Sequence, residues 1–176
     1  LVEGVSRELK VQTEDLPERI AQLSEKLKAA EKEIETLRKQ QLAARASEFV
    51  SAAKDINGFK VIALTLPEGT TGGDLRTVAT DLRNRLREEE AVIVLGAEDK
   101  GKFPFIAAAT DKAVGRGVKS GDIVKQFGQY VDGRGGGKPD MAQGSGSTAA
   151  GAERGFAAVK DMLESCLLYT SDAADD

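Results

Sequence analysis

The chain has 176 residues, with 25 Lys and Arg against 29 Asp and Glu, a net charge of −4, one Cys, no His and no Trp. Without imidazole and with a single thiol, it cannot assemble a Ser/His/Asp or Cys/His catalytic group, a zinc site of usual composition, or an intrachain disulfide. Hydrophobic residues at 40% and charged residues at 31% suit about one soluble domain plus an appendage.

No apolar run approaches the ~20 residues that span a bilayer, and the start lacks the charged-then-apolar pattern of a signal peptide. A reducing, cytoplasmic setting is expected, with no membrane partner. A chain that opens on Leu1 rather than Met reads as a piece of something longer, whose missing chemistry would lie upstream. By region, residues 1–57 hold ten basic and eleven acidic residues, residues 58–165 fifteen of each, and residues 166–176 three acidic and none basic. The body is therefore near neutral, and a nucleic-acid partner would have to be met by a local patch.

Residues 1–57 read as a helical arm. Ile20, Leu23, Leu27, Ala30, Ile34 and Leu37 alternate steps of three and four, a coiled-coil seam flanked by charges of mixed sign. Pro17 suits a first helical turn, Asp15 an N-cap, and Asn57-Gly58 a helix stop, giving about forty residues at ~1.5 Å each. The seam suits pairing within a longer chain or between protomers; the alternative is a solitary amphipathic helix on a neighbouring domain.

Residues 58–165 read as a globular α/β domain. Phe59–Leu66 is a buried strand and Pro67–Gly73 a loop. Asp74 caps a helix whose apolar face is Leu75, Val78, Ala79, Leu82 and Leu86. Ala91–Leu95 is a second strand, Glu98–Lys102 a hairpin turn, and Phe103–Ala109 a third strand, in which Pro104 favours an edge or a strand start. Ser120 or Asp122 caps the next helix, with Ile123, Val124, Phe127 and Val131 facing inward; Phe127 is read as core, while Tyr130 is open between core and base stacking. A last helix runs roughly from Ala149 to Glu164. The expected fold class is α/β, a small sheet of three to four strands packed with helices behind a long coiled-coil-type helix, with Met141–Gly144 as a candidate extra strand.

Between the last two helices lies Gly133-Arg-Gly-Gly-Gly-Lys-Pro-Asp-Met-Ala-Gln-Gly-Ser-Gly146. Gly135, Gly136 and Gly137 between Arg134 and Lys138 leave backbone N–H groups open to an anion, most simply a phosphate. It is no P-loop, since the Walker spacing needs Gly at Asp132 and Ser or Thr at Pro139, and the third Gly of a dinucleotide fingerprint falls on Lys138. A flexible linker is the bland alternative, against which Lys138 to Gln143 interrupt the glycines with specific residues.

This passage, preceded by Gly117-Val-Lys-Ser-Gly-Asp-Ile-Val124, closely resembles the C-terminal, DHHA1-type domain of alanyl-tRNA synthetases, most nearly the actinobacterial branch. The resemblance extends from Leu1 to about Leu163. It implies a tRNA-contacting appendage that touches the tRNA elbow and supports alanylation and editing by upstream domains, with an arm that serves oligomerisation, as in a homodimer. Matched by motif, Arg134, Gly135, Gly136, Gly137, Lys138, Pro139, Asp140, Met141 and Gln143 are the candidate contacts: the cations to phosphates, the glycines for backbone approach, and Gln143 to a base edge. Arg116 and Lys119 are candidates to widen the patch. Pro139 and Asp140 have an equal reading as residues that shape the loop. The fragment carries no class II ATP-binding motif and no His-rich editing centre, so catalytic residues, metal ligands and cofactors are not expected in it. ATP, Mg and Zn belong with the upstream domains. Two further readings are a dimerisation module with a passive globular part, and the terminal domain of a DHH-type phosphoesterase.

Residues 166–176, Cys166-Leu-Leu-Tyr-Thr-Ser-Asp-Ala-Ala-Asp-Asp176, resemble an in-frame read through a transposon-derived sequencing adapter; a natural acidic tail is the alternative. Without them the Cys disappears and the net charge moves from −4 to −1.

Overall fold

The computed structural model describes residues 15–174, with side chains described through Ser165. The chain separates into two compact units, residues 1–43 and 44–176. Helix α1, Leu16–Ser51, begins in the first unit. There the seam residues Ile20, Leu27, Ile34 and Leu37 are 50–61% exposed, an apolar stripe facing solvent.

The second unit is built on one sheet. Its strands are β1 (Lys54–Ile56), β2 (Phe59–Thr65), β3 (Ala91–Gly96), β4 (Phe103–Ala109), β5 (Arg134–Gly137) and β6 (Met141–Gly146), in the spatial order β1-β2-β3-β4-β6-β5. Only β2 and β3 pair in parallel, joined by the crossover helix α2 (Gly72–Arg85); the other pairs are antiparallel. The remaining helices are α3 (Asp111–Gly115), α4 (Ser120–Gly128) and α5 (Ala152–Ala174).

Alternation along the strands divides the core into two layers. Val61, Val92, Val94, Phe105, Ala107 and Ala142 face α4 and α5, where Phe127 packs on Phe105 and Phe156 at centroid distances of 5.0 and 4.9 Å. This confirms Phe127 as core. The intervening Ile62, Ile93 and Ile106 face the other way, toward Leu75, Val78, Ala79 and Leu82 of α2, all buried. Helix α2 packs mainly on β3 and β4 and reaches β6 through the hydrogen bonds that Arg76 and Gly72 share with Gln143. Beyond it, Arg134 and Gly136 of the edge strand are exposed.

Several expectations change. The sheet has six strands rather than three to four. Asn57-Gly58 does not stop the arm helix: α1 ends at Ser51, and Asn57 (φ 55°) with Gly58 (φ 84°) turns a β1-β2 hairpin. Two successive positive φ values match the right-handed twist of the strands, which is why Asn-Gly favours this turn. Thr71, not Asp74, is the N-cap of α2: its Oγ1 accepts from the Asp74 N–H while the Asp74 carboxylate accepts from the Thr71 N–H, a reciprocal capping box. Neither Ser120 nor Asp122 caps α4, whose N-cap is Lys119, with no side-chain hydrogen bond. Pro104 lies in an interior strand, but as its second residue, so the strand-start reading holds. The last helix runs through Ala174; Asp175 and Asp176, part of the suspected adapter segment, lie outside the described residues.

Candidate functional site

The glycine segment is a β-hairpin at the sheet edge, not a loop. Strand β5 pairs with β6 in the register Arg134↔Ser145, Gly135↔Gly144, Gly136↔Gln143 and Gly137↔Ala142, and Pro139-Asp140 forms the turn, closed by the Lys138 N–H donating to the Met141 carbonyl at 2.9 Å. The two turn residues therefore shape the hairpin. The tip is moored on both sides, by the Ser120 N–H donating to the Pro139 carbonyl and the Ala109 N–H donating to the Asp140 carbonyl, each at 2.9 Å.

The three glycines have different reasons to be glycine. A Cβ at Gly135 would lie 2.5 Å from the Gln143 carbonyl oxygen, Gly144 Cα and Val124 Cγ1, and one at Gly137 would lie 2.6 Å from Ala142 Cα. Both positions are closed by the partner strand. A Cβ at Gly136 meets nothing within 4 Å. Gly136 shares its face with Gln143 and, two residues away, with Arg134, and that is the face of α2.

Between α2 and the hairpin runs a solvent-open groove of about 440 Å³, lined by Arg76, Thr80, Arg83, Gly136, Gly137, Lys138, Asp140, Met141, Ala142 and Gln143. Arg83 Nη1 donates to Asp140 Oδ2 at 2.9 Å, an ion pair with side chains 28% and 42% exposed. The Arg83 hydrogen bond holds the Asp140 carboxyl below its ordinary range, with smaller help from its own backbone and Lys138, against a desolvation that acts the other way. Arg76 Nη1 donates to Gln143 Oε1 at 3.4 Å, and Gln143 Nε2 donates to the Gly72 carbonyl at 3.1 Å. Among the described residues, Arg76, Lys119, Arg134 and Lys138 have no carboxylate within ion-pair distance.

The structure thus brings Gly136, Gly137, Lys138, Asp140, Met141 and Gln143 to one groove, sets Arg134 on the same face, and turns Gly135 into the α4 layer. Lys119 is exposed beside the hairpin tip, one residue from the Ser120–Pro139 bond. Arg116 is elsewhere: it pairs with Glu90, its guanidinium carbon lies 4.2 Å from the Phe59 ring centroid, and Nη1 donates to the Asn57 carbonyl at 3.4 Å. Tyr130 lies half-buried against Gly151 and Gly155, on the α5 side. Arg76, Thr80 and Arg83, the second wall of the groove, carry no distinctive signal in the sequence, because a polar stripe at positions i, i+4 and i+7 is what any helix shows to water. No group of three or more His, Cys, Asp or Glu side chains that could hold a metal occurs among the described residues.

Fold and groove define a class: a three-layer α/β domain whose sheet edge carries a glycine hairpin and an open, mostly basic cleft. That fold is found in the C-Ala domain of Aquifex aeolicus alanyl-tRNA synthetase, with a TM-score of 0.58 at 21% identity over 64% of this chain and 97% of that one. Residues 58–166 match the DHHA1 domain, and the chain belongs to that family. It is 54% identical over 163 residues to the alanine–tRNA ligase of Corynebacterium jeikeium and 50% identical over 164 residues to that of Corynebacterium glutamicum, covering 93% of this chain in each case. The Nocardia farcinica ligase is 46% identical over 160 residues, or 91% of the chain. The chain spans 18% of the length of these relatives.

Proposed function

We propose that the chain is the C-terminal portion of an alanyl-tRNA synthetase and binds tRNA through the groove between α2 and the glycine hairpin. Identity of 50% to an alanine–tRNA ligase across 93% of the chain carries the reading. The groove supplies its chemistry: three cations, Arg76, Arg83 and Lys138, against the single carboxylate of Asp140, and a strand edge where Gly136 admits a backbone without obstruction. Phosphate contacts of this kind fix the position of a folded RNA. The tRNA elbow is the target that family membership suggests, and activation and editing belong to other domains of a longer protein, with ATP and metals bound there.

The test is tRNA binding by the full chain across a salt titration. Arg134→Glu with Lys138→Glu should abolish binding while leaving the melting profile intact. The single charge reversals should each flatten the slope of log affinity against log salt by roughly 0.7–0.9. A double variant that binds like the parent at every salt concentration would refute the assignment.

The exposed seam favours a second role in oligomerisation, since Ile20, Leu27, Ile34 and Leu37 are all at least half exposed. Leu27→Glu with Ile34→Glu should leave a monomer in sedimentation; unchanged sedimentation would refute pairing through the arm.

A further inference from the structure

The wall of the groove formed by α2 has an order of its own. Arg76 and Arg83 are seven residues apart, two helical turns, so they sit about 10 Å apart along the side of α2 that borders the hairpin. Each guanidinium is anchored by one bond to the hairpin: Arg76 to Gln143 Oε1 at 3.4 Å, Arg83 to Asp140 Oδ2 at 2.9 Å. Both anchors are themselves fixed, Gln143 by its bond to the Gly72 carbonyl and Asp140 by the tight turn it occupies. A guanidinium has five N–H donors, so one bond to an anchor sets its direction and leaves most of the fork for a ligand.

With the two guanidiniums held on separate anchors, Gln143 and Asp140, along this ~10 Å run of helix, they are not directed at one phosphate. The arrangement suits two phosphates of one backbone. Each end of the Gln143 amide already has a partner, its oxygen Arg76 and its nitrogen Gly72, which fixes its orientation toward α2 rather than toward a base edge.

We propose that Arg76 and Arg83 each take one phosphate of the same RNA backbone, and that Gln143 and Asp140 are positioning residues that aim the two guanidiniums. The proposal rests on the groove being the RNA site and adds its second wall. Recognition through this wall is of backbone shape, not base sequence.

The experiment is fluorescence anisotropy of the full chain with a labelled tRNA transcript, across a salt titration. Arg76→Gln and Arg83→Gln should each weaken binding on the order of tenfold and flatten the salt slope by roughly 0.7–0.9. Arg154→Gln, on α5 at the opposite face, should change neither. Asp140→Ala removes a negative charge from the groove, so simple electrostatics predicts tighter binding. Aiming predicts weaker binding in the parent and no further loss in the Arg83→Gln background. Arg83→Lys keeps the charge and guards against a folding defect: it should preserve the salt slope while losing part of the affinity. If the parent binds tRNA and both arginine variants keep its affinity and slope, the α2 wall is refuted while the groove assignment survives on Arg134 and Lys138. Tighter binding by Asp140→Ala, or losses that add to those of Arg83→Gln, would overturn the positioning role. A parent chain that binds no tRNA removes the groove reading and this one together.

Discussion

Gly135→Ala and Gly136→Ala add the same methyl group to adjacent residues of β5, yet their effects should have opposite signs. At Gly135 the new carbon would sit 2.5 Å from two backbone atoms of β6, the Gln143 carbonyl oxygen and Gly144 Cα, and from Val124 Cγ1. Backbone atoms in a paired strand cannot move aside unless the ladder opens. Overpacking typically costs 1–3 kcal/mol, and three simultaneous overlaps place this variant at the upper end, about 3 kcal/mol. For a chain of this size, about 2–4 °C of melting temperature is lost per kcal/mol, so Gly135→Ala should melt roughly 6–12 °C below the parent. At Gly136 nothing lies within 4 Å, and an alanine in a strand is favoured over glycine by about 0.5–1 kcal/mol, so the melting temperature should rise by roughly 1–4 °C. That methyl enters the groove, so Gly136→Ala should bind tRNA more weakly although it is more stable. Thermal melts followed by circular dichroism, with affinity measured on the same samples, check both. Equal melting temperatures for the two variants would refute the argument that β5 is a strand packed on one face and open on the other.

Arg116→Met should destabilise the fold by about 1–2 kcal/mol, because it removes the half-buried Glu90 ion pair and the guanidinium over Phe59. Urea melts read this loss, and an altered salt slope for tRNA binding would return Arg116 to the RNA patch. Thr71→Ala should cost about 1 kcal/mol in the same melts by opening the capping box of α2; an unchanged midpoint would contradict that cap. Asp140 has a folded pKa lowered mainly by Arg83, so its pairing stabilises the fold above the ordinary carboxylate pKa and is lost as pH falls through the depressed folded value. The stability gap between parent and Asp140→Asn should therefore be full at neutral pH and close below about pH 4. A gap that persists unchanged at pH 2 would mean the ion pair is not its source.

What the sequence made legible follows from burial. Strands β2, β3 and β4 and helices α2, α4 and α5 each bury an apolar face, so their side chains carry the period of the element, and their expected limits lie within a few residues of the observed ones except at the far end of α5. Strand β1, Lys-Asp-Ile, buries almost nothing, and β5, Arg-Gly-Gly-Gly, has almost no side chains to alternate. Both become strands because a neighbour offers an edge, a cause that lies outside their own residues. For the same reason the groove was half visible. The hairpin announced itself through unusual residues, whereas Arg76 and Arg83 join the groove only because the hairpin brings Gln143 and Asp140 to α2. Gln143 was legible as a polar group at the right place. Its partners on α2, Arg76 and Gly72, were not.

Net charge alone is the wrong quantity for judging whether the groove suits an RNA backbone. Residues 58–165 hold fifteen cations and fifteen carboxylates, yet the carboxylates are not evenly spent. The run Glu88-Glu89-Glu90, just ahead of β3, takes up Arg87, Lys112, Lys60 and Arg116. In the groove lining Asp140 is the one carboxylate, and it is engaged by Arg83, while Arg76, Lys119, Arg134 and Lys138 have no ion pair among the described residues. At physiological salt, charges are felt over about 8 Å, so a phosphate in the groove is screened from most of the protein and responds to this local imbalance. A chain can therefore be neutral in sum and basic where an RNA backbone would lie, and a test of that claim is the salt slope of the groove variants rather than the isoelectric point.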